Sequence, residues 1–248
     1  MRRITPLISF LVFSYFFSAC NPAYKAAAVQ YKGYTIANTA KDSSFVTFLQ
    51  PYTDSVNSSM NMVVGKVAVD MDKRQPEGLL GDFMADAMLT LAEKYYETKI
   101  DAAFVNYGGI RIPYVKAGNI TRGMVFEMMP FDNIIILQKV SGAVLKQFLD
   151  HIAGRGGWPL AGITMSIKNG KATNVVIAGK PLDLSATYTI ANSDYVANGG
   201  DNSEMLKTIP QINRGVLLRD ALIEYIQEFS KQGKPVTVTV LNRVSNAE

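Results

Sequence analysis

Hydrophobic positions recur along this chain at two different spacings. Between residues 79 and 95, Leu80, Phe83, Ala87, Met88, Leu91 and Tyr95 fall three or four apart, which puts them on one face of an α-helix. The same period runs through Phe45, Leu49, Tyr52, Val56 and Met60, with Asp42 ahead of it as an N-cap. Pro51 near the middle of that run predicts a kinked or two-part helix. A further amphipathic helix is predicted over 216–229, closing near Gly233. Thr121 and Ser141 are placed to cap helices reaching Met128 and His151.

Short apolar or alternating runs predict strands at 65–70, 101–105, 134–140, 188–191 and 236–241. The runs 163–167 and 173–177 flank Asn169 and Gly170, the dipeptide of a two-residue hairpin turn. Helices interleave with strands and hairpins, so the fold class read from the pattern is α+β.

The first twenty residues stand apart from this patterning. Arg2 and Arg3 precede an apolar stretch over 6–17, then Ser18, Ala19 and the chain's single cysteine, Cys20. That is the layout of a secretory signal with Cys20 at the position of lipid attachment. The apolar run is too short for a membrane span, so the expectation is an exported lipoprotein, attached to a membrane rather than crossing it, periplasmic or at the cell surface. Asn21 after the cysteine is compatible with outer-membrane sorting. Residues 21–41 read as a tether and 42–248 as the folded body. Setting Arg2 and Arg3 aside leaves 23 basic residues against 21 acidic ones, too small an excess to suggest nucleic acid as a partner.

Candidate chemistry is sparse. His151 is the only histidine, and a two-metal phosphatase centre needs several His and Asp ligands from different loops. No GxSxG, P-loop or HExxH motif is present, and no motif marks a serine for His151 to activate. At the end of an amphipathic helix, His151 reads as a C-terminal charge or a core residue. Two loops carry more information, because each joins a strand exit to a glycine pair and polar groups. Asn106 and Arg111 flank Gly108 and Gly109; Tyr195 and Asp201 flank Gly199 and Gly200. Glycines let a flat ligand or a phosphate approach the backbone, arginine offers a forked donor, and aspartate accepts from sugar hydroxyls. From spacing alone, ordinary turns account for these loops equally well. Phe131, within Pro130-Phe131-Asp132-Asn133, would form a nucleobase slot if it faced Tyr195, with stacking worth ~1–3 kcal/mol per base. The other reading is that both rings fill a core.

Taken in this order, the Asn-x-Gly-Gly-Ile-Arg loop, the Pro-Phe pair and the late aromatic with Ala-x-Gly-Gly-Asp resemble the C-terminal substrate-binding domain of 5'-nucleotidases, over roughly 42–241. The resemblance implies layered helices and mixed sheets. It also implies that Phe131 and Tyr195 sandwich a base, that Asp201 receives the ribose hydroxyls, and that Asn106 touches the base and Arg111 the ribose or phosphate side. Arg74, seven residues before Gly81, resembles the family's other binding arginine, and Asn133 is a further candidate. Two positions depart from the family pattern: Tyr195 stands where many members have Phe, and Asn202 where a glycine usually follows the aspartate. Family members place a two-metal phosphatase domain ahead of a helix like that at 42–60, and here only the signal and tether are expected there. The implied function is a nucleotide-recognition subunit of a 5'-nucleotidase-type phosphoesterase, acting in nucleotide catabolism. Its ligand would be a nucleotide or nucleoside, it would hold no cofactor itself, and divalent metals would reside in a separate metallophosphatase partner. A non-catalytic nucleotide-binding surface lipoprotein is the alternative.

Overall fold

The computed structural model describes residues 31–34 and 41–247. The expected signal, Cys20 and most of the expected tether lie outside the described residues. The chain forms two compact units, Met1–Val46 and Thr47–Glu248. In the first, the Lys32 ammonium lies 5.2 Å from the centroid of the Tyr34 ring. Asp42 caps the helix that follows, its Oδ1 accepting from the amides of Ser44 and Phe45 at 2.9 and 3.2 Å. That helix, Ser43–Met60, runs through Pro51 as one element, so the predicted break into two parts does not occur. Proline removes one backbone donor, a local loss that eighteen residues of helix can absorb. None of the residues of this helix is buried, so its apolar stripe does not mark a core-facing side.

The second unit is built around a five-stranded mixed sheet in the order Gln211–Leu217, Ile134–Ser141, Thr187–Ser193, Ala102–Phe104, Leu160–Ala161. Side chains alternate across it. Ala103, Leu137 and Ala191 enter one core with the helices Leu79–Tyr96 and Leu218–Lys231. Ala102, Phe104 and Ile190 enter the other, with the helix Gly142–Gly154 and Trp158. The α+β expectation holds. The helix predicted over 79–95 is present as Leu79–Tyr96, and it is buried on more than the predicted face, since Gly81, Asp82, Met84 and Ala85 are also enclosed. Thr121 and Ser141 cap their helices as expected, each accepting from the amide three residues on, Met124 and Val144.

A second sheet contains the predicted hairpin, Ile163–Lys168 with Lys171–Ile177, where Lys168 pairs with Lys171. Asn169 and Gly170 both have positive φ, 52° and 70°, as a two-residue turn of this type requires. The strand predicted over 236–241 is not formed. Val236 makes one isolated bridge to Val67, and the last strand is instead Val244–Asn246, parallel to Ile163–Lys168. Val236 and Val238 are buried while Thr237 and Thr239 are exposed. The alternation in the sequence therefore reports burial without a hydrogen-bonded ladder. Conversely, Gln211–Leu217 is an edge strand with mostly exposed residues and no alternation to announce it, and the helix expected from 216 starts at Leu218. The C-terminal segment is fastened to the long helix and to the turn before it: Arg243 donates to both oxygens of Asp86 at 2.7 and 2.8 Å, and Glu77 accepts from the amides of Leu241 and Val244.

The sheet's strand directions decide where the informative loops go. Ala102–Phe104 and Thr187–Ser193 are parallel neighbours, so the two glycine loops leave from the same end of the sheet. Ile134–Ser141 runs antiparallel to Thr187–Ser193, with Ile135 opposite Ser193, so the Pro-Phe loop that precedes it arrives at that end too.

Candidate functional site

The three loops enclose a cavity of about 300 Å³, at the lower end of the size of small-molecule pockets. Its walls include Phe131 and Tyr195, with Asn106, Arg111, Asn133 and Asp201 supplying polar groups and Gly108 and Gly109 lining one side. Phe131 and Tyr195 are 40% and 45% exposed, so neither ring is spent filling a core. Arg74 is not among the lining residues. It is exposed, and its Nε lies 3.3 Å from Oδ2 of neighbouring Asp72. Gly199 and Gly200 shape the site from behind it: Gly199 has φ 91°, and a Cβ at Gly200 would come within 2.5 Å of both the Tyr195 ring and the Tyr195 carbonyl. A Cβ at Gly109 would lie 2.7 Å from Oδ1 of Asn106, so that side chain would have to move away.

Asp201 is the best-held polar group in the cavity. Asn106 Nδ2 donates to its Oδ2 at 2.7 Å, and the Tyr195 hydroxyl donates to its Oδ1 at 3.4 Å while accepting from its amide at 3.2 Å. No cation pairs with this carboxylate among the described residues, and each oxygen retains a lone pair for a ligand hydroxyl. Asp201 sits in the left-handed region with φ 52°, and Asn202, at the position of the family's usual glycine, does likewise with φ 63°. Asparagine tolerates that region better than most residues, so the replacement of glycine is accommodated.

His151, read from sequence as a helix-end charge or a core residue, lies against this loop. Its Nε2 is 2.9 Å from the Asp201 carbonyl, and its ring meets Trp158 edge to face at 6.0 Å. A carbonyl only accepts, so Nε2 carries the proton and the histidine braces the backbone of Asp201. Three other residues were not singled out by the sequence. Lys73 donates to the Ile110 carbonyl at 2.8 Å and lies 4.2 Å over the Tyr107 ring, holding the first glycine loop. Burial, and to a lesser degree the charge of Arg111, lowers its pKa. Asp194 Oδ1 accepts from the amides of both Ile134 and Tyr195 at 2.9 Å, joining the two aromatic walls through one atom. Arg219 is the third, behind the Phe131 loop. The signals were weak: a lysine beside the more conspicuous Arg74, an aspartate inside a polar loop, and an arginine on a helix. Arg111 stands at the open side, its guanidinium 5.7 Å from the Phe131 centroid and within 3.4 Å of the Gly108 carbonyl. Among the described residues no group of three or more His, Cys, Asp or Glu is placed to hold a metal ion.

Comparison with known proteins identifies the family and the fold. The family model described as 5'-nucleotidase, C-terminal domain, matches residues 63–208. The chain is 31% identical over 201 residues to a 5'-nucleotidase of Vibrio parahaemolyticus, covering 77% of this chain and 35% of that protein. It is 31% identical over 209 residues to a 5'-nucleotidase of Vibrio vulnificus, covering 80% of this chain and 36% of that one. The chain thus spans about a third of the length of these curated relatives. Its fold superposes on the solved 5'-nucleotidase precursor from Thermus thermophilus with a TM-score of 0.72 at 24% identity, covering 84% of this chain and 44% of the other.

Proposed function

Because this chain belongs to the 5'-nucleotidase C-terminal domain family, we propose that it is a nucleotide-recognition subunit whose catalytic metal chemistry is supplied by a separate metallophosphatase chain. In this reading the base enters between Phe131 and Tyr195, the ribose hydroxyls donate to Asp201, and Arg111 faces the phosphate side. Asn106 and Asn133 offer amide groups to the base edge. The divalent metals belong to the partner, where they would polarise the phosphoryl oxygens and activate water. Attachment to a membrane through Cys20 would place the complex outside the cytoplasm.

One observation carries the reading: a carboxylate without a cationic partner among the described residues, held by Asn106 and Tyr195, opens into a cavity between two half-exposed rings. A carboxylate so arranged suits a vicinal diol, and the rings suit a flat heterocycle. Calorimetric titration of the mature chain with AMP and UMP, in chelator-treated buffer, tests it. Phe131→Ala and Tyr195→Ala should each weaken both ligands by roughly 5- to 150-fold, the range that stacking on one ring represents. Failure of the parent chain to bind either nucleotide would refute the assignment. Mixing with the cognate metallophosphatase should raise nucleotide hydrolysis; binding without any such increase would favour a nucleotide-capturing surface lipoprotein.

A further inference from the structure

The Phe131 wall of the cavity is held from outside the cavity. Arg219, the second residue of the helix Leu218–Lys231, is only 8% exposed. Its NH1 donates to the Phe131 carbonyl at 3.3 Å, and its NH2 donates to Asp132 Oδ1 at 2.6 Å. The guanidinium lies 4.1 Å over the Phe126 ring, and its Nε is buried without a partner among the described residues. One residue earlier, the Leu218 amide donates to the Asn133 carbonyl at 2.9 Å. Three consecutive loop residues are therefore fastened by two consecutive residues at the start of one helix.

This arrangement is unusual as a stabilising device. A buried arginine is costly unless its donors are satisfied, and here one nitrogen is unpaired while the carboxylate partner is 80% exposed to water. The desolvation of the guanidinium offsets much of what its pair with Asp132 contributes. What the arginine does determine is the backbone position beneath Phe131. A half-exposed aromatic ring gains by folding onto neighbouring apolar surface, and fixing its carbonyl and the two residues after it opposes that collapse.

We propose that Arg219 is a positioning residue for base binding, keeping the Phe131 ring presented to the cavity; this rests on the reading of the cavity as a nucleotide slot. The ligand it affects is the base, since the ribose and phosphate groups face Asp201 and Arg111 on other loops. The test compares AMP with ribose 5-phosphate, by calorimetry, on the parent chain and on Arg219→Met, which keeps the stem over Phe126 and removes the donors. AMP affinity should fall roughly tenfold while ribose 5-phosphate affinity stays within about twofold. Arg219→Lys should recover part of the loss. In a Phe131→Ala background, Arg219→Met should add no further loss, as expected for a residue acting through that ring. Hydrogen exchange of the ligand-free protein supplies an independent readout: the Ile134 and Leu218 amides, which donate to Asp194 Oδ1 and to the Asn133 carbonyl at the end of this loop, should exchange roughly tenfold faster in Arg219→Met, with the rest of the central strands unchanged. Equal weakening of both ligands, or unchanged exchange at Ile134 and Leu218, would overturn the proposal. If the parent chain bound no AMP, the nucleotide reading would fall, and the exchange result would still decide whether Arg219 orders the loop. Should Arg219→Met not fold, Asp132→Asn weakens the ion pair while leaving an oxygen to accept from the buried guanidinium. The same two readouts then apply, with roughly threefold effects expected in the same directions.

Discussion

Asp201 shows how a single residue acquires a role from its neighbours. An aspartate in a glycine-rich loop is ordinarily solvated. Here Asn106 and Tyr195 take one position on each oxygen, and His151 holds the carbonyl, so the carboxylate is oriented before any ligand arrives. Replacing Phe, the commoner residue in the family, by Tyr195 thus adds a contact to the carboxylate in addition to preserving a stacking face. Asp201→Asn keeps the shape and leaves a weaker acceptor, so it should cost AMP binding roughly tenfold and 2',3'-dideoxyadenosine monophosphate binding almost nothing. Calorimetry with the two ligands measures that ratio, and equal losses would place the diol elsewhere. Asn106, Arg111, Phe131, Tyr195 and Asp201 were all legible in the sequence, because each stands beside a glycine pair or proline at the end of an apolar run. Lys73, Asp194 and Arg219 were not, because each acts by a hydrogen bond to a backbone atom far away along the chain. Arg74 is conspicuous by its spacing from Gly81, yet its charge is paired locally with Asp72.

Among the elements, the short helix Asp194–Ala197 and the turn after it show how much a glycine can decide. Ser193 caps this helix by accepting from the Val196 amide, and the chain then doubles back over the Tyr195 ring at Gly200. A methyl group at that point would meet the ring and the Tyr195 carbonyl, both at 2.5 Å, and the carbonyl belongs to backbone that cannot swing aside. Gly200→Ala should therefore destabilise the fold by ~1–3 kcal/mol, the usual cost of overpacking, and weaken AMP binding, both by more than Gly154→Ala does. Gly154 is a suitable control because, like Gly200, it is not in the positive-φ region, and a built Cβ there meets only the Gly170 carbonyl at an ordinary 3.6 Å. Denaturant titration and calorimetry on both variants give the comparison. Strands without an alternating pattern were harder to read: Gln211–Leu217 exposes most of its residues at a sheet edge, so neither face carries a hydrophobic signal. Residues 236–241 erred the other way, since burying every second residue of a segment needs packing only, whereas a strand needs a partner in register.

For the molecule as a whole, the least comfortable charge is Asp82, 2% exposed on the helix Leu79–Tyr96, where it faces Glu77 and Asp86 with Arg243 nearby. Burial is the main cause, and repulsion from Glu77 the next, of a pKa pushed up to about 7; Arg243 opposes both. In the unfolded chain the same group titrates near the ordinary aspartate value. The folded state therefore holds a proton that the unfolded state has lost, and stability from this group is full below about pH 4 and declines as pH rises towards 7. Asp82→Asn keeps a neutral, hydrogen-bonding side chain at every pH. Thermal midpoints should be similar for parent and variant near pH ~4.5 and higher for the variant at about pH 8, by the several degrees that a few kcal/mol represents in a domain of this size. A variant with the same midpoint as the parent at the higher pH would show that folding does not raise the Asp82 pKa. The region concerned anchors the C-terminal segment through Arg243 and Glu77, so the loss at high pH should be felt first at residues 241–246 in hydrogen exchange.

By itself the sequence determined the elements that carry their own periodicity or punctuation: the long helix at Leu79–Tyr96, the capped helices after Thr121 and Ser141, the Asn-Gly hairpin, and three loops rich enough in glycine, proline and polar groups to suggest a ligand. These are local properties, set by torsional preferences and by which side chains fall on one face. Only the tertiary structure decided that the loops share one end of a sheet, because that depends on Ala102–Phe104 and Thr187–Ser193, far apart in the chain, pairing in parallel, with Ile134–Ser141 antiparallel beside them. It also decided that Phe131 and Tyr195 line a cavity instead of filling a core, and that the bonds holding them come from Arg219, Asp194 and His151. Hydrogen bonds between distant residues leave no period in a sequence; the folded sheet brings their donors and acceptors within reach.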